Sequence, residues 1–263
     1  MIASALRLAR TGVLRLASPF DRVWLRATGR RHLPPLWLRR HTGALSAFES
    51  AARETAAFLD RLDLLRDARL VLDVGCGAGA MVEKLAGRLP EAGRYVGFDV
   101  HAPSIRWCRR RWVGDARLSF ELAPVASPYG FAAGAPASSY RFPVEDGSAD
   151  LVLAKSVFTH LLAPDARHYL SETRRVLRPG RAAVVTAFLF EENAPGVGDA
   201  FPFAAAEGAR LKSRARPTAA VAWEKSLFVE MIESAGLHLQ WLSQGYYPGR
   251  ERLTAQDVLL LGH

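Results

Sequence analysis

Residues 69–85 read RLVLDVGCGAGAMVEKL: an apolar run holding one acid, Asp73, then a turn that is nearly all glycine, then a helical pattern. The run 70–74 has the length and apolarity of a buried strand, and the residues after Ala80 return to helical spacing. Gly75, Gly77 and Gly79 lack a Cβ, so the connecting backbone can take conformations closed to other residues and let a ligand approach the main chain. The helix that begins near Ala80 presents unpaired N–H groups to a negatively charged or carboxylate-bearing ligand. Gly75, Gly77 and Ala80 also satisfy the dinucleotide-binding pattern, so the glycines alone leave the ligand open.

Outward from this turn, apolar runs alternate with helical patterns. Strands are expected at 70–74, 94–98, 117–122, 150–154 and 182–189, with helices at about 80–88, 102–113 and 164–177. That alternation predicts an α/β, doubly wound, mostly parallel sheet, whose ligands bind beyond the carboxyl ends of the strands. The end differs: a helix at about 224–235 precedes two apolar runs, 237–243 and 256–262, too close together for a crossover helix and therefore an antiparallel hairpin. The stretches 123–141 and 191–222 show no clear periodicity, and long connections of this kind are often lids or substrate loops.

Two acids narrow the ligand. Asp99 ends the second strand in YVGFDV (95–100), where a carboxylate can hold the ribose hydroxyls of any adenosine cofactor. Asp73 would repel a pyrophosphate but suits an ammonium group; its plainer reading is a carboxylate that ties down the loop backbone. An adenosine cofactor with a cationic end and no phosphates is S-adenosyl-L-methionine.

At this point the chain resembles the class I S-adenosylmethionine-dependent methyltransferases over roughly residues 46–263. VLDVGCGAG (71–79) is similar to their cofactor loop and GFDV (97–100) to their acidic strand end. FPVEDGSADLVLAKSVFTHL (142–161) and YLSETRRVLRPGRAAVV (169–185) are similar to the blocks that follow, with Arg181 where a second glycine is common. The resemblance implies a Rossmann-like seven-stranded sheet. It implies that Gly75, Cys76, Gly77 and Gly79 pass beneath the methionine portion, that Asp73 lies near its amino group, that Asp99 accepts from the ribose, and that Val100 lines the adenine. ASSYRFPV (137–144) departs from the pattern: Ser138 or Ser139 replaces an acid for the adenine amine, and Phe142 is left to packing. IRWCRRRW, SPYGF, SVFTHLL and QDVLLL further resemble a largely bacterial group whose acceptors are poorly defined.

Methyl transfer needs the acceptor lone pair in line with the S–CH₃ bond, and positioning supplies much of the rate. His160, shortly after the fourth strand, is the candidate base, set against a reading in which it only orders the turn before Pro164. Lys155 either orients an anionic acceptor or reaches out to solvent, and Tyr129 is a candidate for the acceptor pocket. His168 and Glu172 read as a solvated helical face; Arg106, Arg109, Arg110 and Arg111 read likewise, with Trp107 and Cys108 as core. Cys76 and Cys108, the two cysteines, show neither a disulfide framework nor metal-ligand spacing, which suggests reduced thiols in a cytoplasmic protein and no metal.

The 263-residue chain carries a net charge of +9, and residues 1–48, with nine arginines and one acid, supply +8 of it. The body is nearly neutral, so no nucleic-acid partner is expected. No run of about 18 apolar residues exists to span a membrane. Residues 1–45 form a basic helical extension to a domain at 46–263. Within it, Ile2, Leu6, Ala9, Val13, Leu16 and Phe20 recur at helical steps opposite Arg7, Thr11, Arg15 and Ser18. Three readings stay open: a helix packed on the domain, a peripheral membrane contact through residues 1–31, and a cleaved targeting peptide. The extension, together with Phe201, Phe203, Lys212, Arg214 and Arg216 in the insertion, favours a small amphiphilic or anionic acceptor, such as a lipid, a lipid-linked sugar or a secondary metabolite. The rival functions are an NAD(P)-dependent oxidoreductase and a non-catalytic protein that keeps the fold.

Overall fold

The computed structural model describes residues 2–41, 47–127, 133–191, 197–243 and 256–263. Three helices come first: α1 (Ile2–Ala27), α2 (Leu36–His41) and α3 (Ala47–Arg61). The alternating core follows with β1 (Leu70–Val74), α4 (Ala80–Leu85), β2 (Arg94–Asp99), α5 (Ala102–Arg111), β3 (Leu118–Leu122), β4 (Ala149–Ala154), α6 (Ala163–Val176) and β5 (Leu177–Phe190). Then come α7 (Val197–Ala200), β6 (Phe203–Ala204), β7 (Ala209–Leu211), β8 (Val221–Glu224), α8 (Lys225–Ser234), β9 (His238–Ser243) and β10 (Asp257–Gly262).

β1 shows why an apolar run makes this strand. Leu72 and Val74 are buried against the layer of α6 and α8, while Val71 is buried on the opposite side, against α3, α4 and α5. A strand covered on both faces has no solvated side to alternate toward. The strand order is β3-β2-β1-β4-β5, all parallel, and β5 is flanked by antiparallel β10, which in turn pairs with β9. The parallel sheet and its antiparallel end are as expected.

The strand count is not. Among the described residues ten strands form where seven were expected, because much of the insertion 191–222 is built rather than irregular. β6, β7 and β8 make an antiparallel extension whose β8 runs parallel to the last residues of β5, Phe188–Phe190. Trp223, fully buried on β8, donates its indole N–H to the carbonyl of Phe158 at 3.0 Å and so ties the extension to the segment after β4. Short strands interrupted by Gly208 and Pro217 gave no run long enough to show a period.

The N-terminal helix does not pack the described part of its apolar stripe on the domain, which was one of the three readings left open. α1 runs on to Ala27 through Pro19, and the described part of its predicted apolar stripe faces outward: Val13 is 65 %, Leu16 78 % and Phe20 79 % exposed, with Val23 and Trp24 continuing the ridge. The helix rests on its other side, where Ser18 and Leu25 are buried. Leu25 joins Leu33, Leu38 and Phe48 in a small core against Ala78 of the glycine turn. A pair of anchors fixes α2: the carboxylate of Asp21 accepts the Leu36 N–H at 3.1 Å and pairs with buried Arg39. No described helix is long and apolar enough to cross a membrane.

Asp150, buried near the start of β4, closes the bottom of the sheet. Its carboxylate accepts the backbone N–H groups of Arg69 at 2.8 Å and Leu70 at 3.1 Å, and it pairs with Arg178 at 2.7 Å and Arg181 at 3.2 Å. Arg181 thus has a partner that a glycine at its position would not. Asp150→Ala leaves two strand N–H groups without an acceptor and is expected to destabilise by about 2–3 kcal/mol in urea unfolding. Arg181→Gly removes only a half-exposed ion pair and is expected to cost under about 1 kcal/mol.

Candidate cofactor and acceptor cavity

At the carboxyl ends of β1, β2 and β4 lies a cavity of about 540 Å³. Asp73, Gly75, Cys76, Gly77, Asp99, Val100 and His160 all line it. The glycine turn is bent as its sequence demands. Gly75 has φ +70°, and a Cβ there would meet Val157 Cγ2 at 2.7 Å, so neither the backbone nor the neighbouring segment admits a larger residue. Gly79, φ +84°, stands at the start of α4, behind the cavity wall; a Cβ there would press Cys108 Sγ and Val82 at 3.1 Å. One further glycine was not singled out in the sequence. Gly97, opposite Asp73 in the β1–β2 register, leaves the room that Cys76 fills.

The turn and the second strand end are bonded to each other. The Cys76 N–H donates to the Phe98 carbonyl at 3.0 Å, and the Gly77 N–H donates to Asp99 Oδ2 at 2.8 Å. The His101 N–H holds the other oxygen, Oδ1, at 2.7 Å. Burial pushes the Asp99 carboxyl above the usual range, and these backbone donors oppose that shift. Asp73 is 1 % exposed and accepts a hydrogen bond from the Tyr95 hydroxyl. Burial raises its pKa to about 7, against the Tyr95 bond and the charge of Lys155, with the Asp99 charge adding to the rise. Both cysteine thiols are free, buried and pushed up, Cys108 to about 12, so both stay protonated.

Farther along the cavity, Lys155 follows β4. It does not reach out to solvent but lines this cavity and a smaller one of about 290 Å³ bounded by Glu54, Phe58 and Trp241. Burial lowers its pKa, while Asp73 and Glu54 hold it up. Ser156 takes a left-handed conformation, φ +59°, and its N–H donates to Thr186 Oγ1 at 2.7 Å; the Thr186 hydroxyl donates in turn to Gln256 Oε1 at 2.6 Å. These bonds set the turn that carries His160. Its Nδ1 lies 2.9 Å from the Thr218 carbonyl, which can only accept, so Nδ1 carries the proton and the basic nitrogen of the neutral ring is Nε2.

Several expectations change here. His168 and Glu172 do not form a solvated face: His168 Nε2 donates to the Tyr140 carbonyl at 2.8 Å, and buried Glu172 accepts the Phe142 N–H at 2.7 Å. Together they hold the segment whose Phe142 is buried between Phe98 and Tyr169. Neither Ser138 nor Ser139 lines the cavity, but Asp165 does, from the first turn of α6, where it accepts the Ser138 N–H at 2.9 Å. In the sequence Asp165 reads only as a helix-start acid. Phe201, Phe203 and Arg214 are absent from the cavity wall: Phe201 packs on Phe188 and Arg214 lies over Phe203. From the insertion, Thr218, Ala219 and Ala220 reach the cavity instead. Tyr129 lies outside the described residues.

Residues 72–185 match the family model described as a methyltransferase domain. A curated relative, an uncharacterized 37.1 kDa protein in a transposon of Streptomyces fradiae, is 30% identical over 141 residues, which is 54% of this chain and 36% of that protein. Among solved structures, a SAM-dependent methyltransferase from Methanosarcina mazei superposes with a TM-score of 0.53 at 17% identity, over 74% of this chain and 92% of that one. The 4+2 cyclase SpnF superposes with a TM-score of 0.51 at 21% identity, over 73% of this chain and 59% of that one. The chain therefore spans about a third of the curated relative and under two thirds of the cyclase. The matched segment takes in the glycine turn and the acidic ends of β1 and β2, and the likeness to the solved structures is one of fold.

Proposed function

We propose that the protein transfers the methyl group of S-adenosyl-L-methionine to a small-molecule acceptor, and that both bind in the cavity at the carboxyl ends of β1, β2 and β4. The observation that carries this reading is the pair of acids beside a turn whose Gly75 has positive φ and no room for a Cβ. Asp99 has each oxygen tied by one backbone N–H, which fixes its orientation, and a carboxylate oxygen can accept a second bond, here from a ribose hydroxyl. Gly75 and Gly77 let the amino-acid portion lie on the main chain, and Cys76 closes the floor. Val100 and Ala137 line the cavity near Asp99 as an apolar surface for the adenine, with Asp165 as the acid within reach of its amine. The cofactor supplies an activated methyl on a sulfonium. The protein orients the acceptor, excludes water and, at His160 Nε2, takes up the proton of an O–H or N–H acceptor.

The acceptor is read as amphiphilic. Residues 1–31 would bring the protein to it: the outward ridge Val13, Leu16, Phe20, Val23 and Trp24 has the form of a helix that lies in the plane of a membrane interface. Leu25 of α1 packs on Ala78 of the glycine turn from outside, and among the described residues no α1 side chain lines the cavity.

Calorimetric titration with S-adenosylhomocysteine tests the site. Wild type is expected to bind it and not NADH, and Asp99→Ala to weaken binding by about 1–3 kcal/mol. Absence of binding to folded protein would end the methyltransferase reading and leave the fold as a scaffold; binding of NADH would favour an oxidoreductase.

Asp73 adds a pH signature. With its pKa about 7 before binding, the carboxyl is largely protonated at pH 6, and an ammonium group beside it favours the ionised form. Binding then releases up to one proton. Affinity should rise by up to about tenfold per pH unit as pH climbs toward 7 and level off above it, because the free and bound protein are then equally ionised. Asp73→Asn should show neither the proton release nor the slope.

A further inference from the structure

A groove of about 790 Å³ between α1, α2 and α5 is separate from the cavity and plays no part in the proposed transfer. Six arginines line it: Arg15, Arg22, Arg26 and Arg31 from the N-terminal segment, Arg106 and Arg110 from α5. The lining contains no acid. Arg15, Arg22 and Arg26 fall on one face of α1, seven and four residues apart, and Arg106 and Arg110 are four apart on α5, so two rows of guanidinium groups face each other across the groove.

Rows of like charge at this spacing disfavour their own helices. Elsewhere such charges are matched. On α5 itself Arg109 pairs with Glu121 at 3.3 Å and Arg111 with Glu83 at 3.6 Å. Arg30 and Arg39, next to the groove in sequence, pair with Glu49 and Asp21. Among the described residues, the six that line the groove make no ion pair with a carboxylate. Arg15 is held instead over the Trp37 ring, 4.8 Å from its centroid, and Trp37, Trp107, Leu25 and Leu33 give the groove an apolar floor.

We propose that this groove is a binding site for a phosphate-bearing anion. Guanidinium forks match phosphate oxygens two at a time, and a ligand of several negative charges is what two facing rows can neutralise together. The apolar floor suits an organic part attached to the phosphate. The ligand is either the headgroup of an anionic lipid or a free phosphorylated molecule. The groove does not depend on the methyl-transfer reading, and the two stand or fall by different measurements.

The test uses the full chain, the variant Arg106→Ala/Arg110→Ala, and Arg94→Ala as an exposed arginine outside the groove. Pyrophosphate is titrated by calorimetry, and vesicles of phosphatidylglycerol or of phosphatidylcholine are sedimented with each protein. Circular dichroism and urea unfolding confirm that each variant is folded. The expected result is binding of pyrophosphate, of anionic vesicles, or of both, that falls at least tenfold in the α5 variant and less than twofold in Arg94→Ala. Vesicle binding lost with these arginines identifies a lipid headgroup; pyrophosphate binding without vesicle binding identifies a soluble ligand. Binding of neither probe, or a loss of equal size in Arg94→Ala, overturns the proposal.

Discussion

One backbone hydrogen bond organises the functional end of this molecule: the Gly77 N–H held on the Asp99 carboxylate. It joins the turn after β1 to the tip of β2, so the glycine backbone and the Asp99 carboxylate are a single rigid unit. The bond can form only because Gly75 and Gly77 take positive φ, bending the turn back over β2, and because Gly97 leaves space for the Cys76 side chain beneath it. Asp99 stands half-buried at the cavity wall, desolvation raises its pKa, and the amides of Gly77 and His101 oppose that rise. Asp73 stands one strand over in the same layer, where it accepts from the Tyr95 hydroxyl and burial raises its pKa to about 7.

The parallel core was legible in the sequence because strands buried on both faces show as apolar runs that nothing else explains. β1 was read at its observed bounds, and β2, β3, β4 and the end strands fall within a residue or so of expectation. The placement of the glycine turn and Asp99 at the strand ends was legible for the same local reason: it depends on neighbours in the chain. What sequence periodicity could not show was which face of an amphipathic helix is covered. α1 has an apolar stripe, yet its burial is decided by Leu33, Leu38, Phe48 and Ala78, which come later in the chain and accept the opposite side.

Side chains that act across long sequence separations were illegible for a related reason. Glu172 holds Phe142 thirty residues earlier, Gln256 reaches Ser156 and Thr186, and Arg181 answers Asp150. In each case the residue type is ordinary at its own position and becomes informative only when the sheet brings its partner alongside. Asp165 belongs to this class: a first-turn acid is common on any helix, and its place on the cavity wall follows from how α6 meets the segment 137–139.

The sheet's antiparallel end has a kinetic meaning. Among the described strands β9 pairs with β10, and β10 lies against β5, whose paired residues come 70 to 80 positions earlier in the chain. β9 and β10 are neighbours in the chain and can pair as a hairpin by themselves, so the slow step on this side is the docking of β10 onto β5. Closure over such a separation is slow compared with helix formation or hairpin pairing. During that interval the edge of β5 is uncovered, and Val184 and Val185, both buried in the finished protein, have nothing beside them on that side. The same late strand carries Gln256 at its mouth, so the bonds that hold Ser156 and the His160 turn in place are among the last to form.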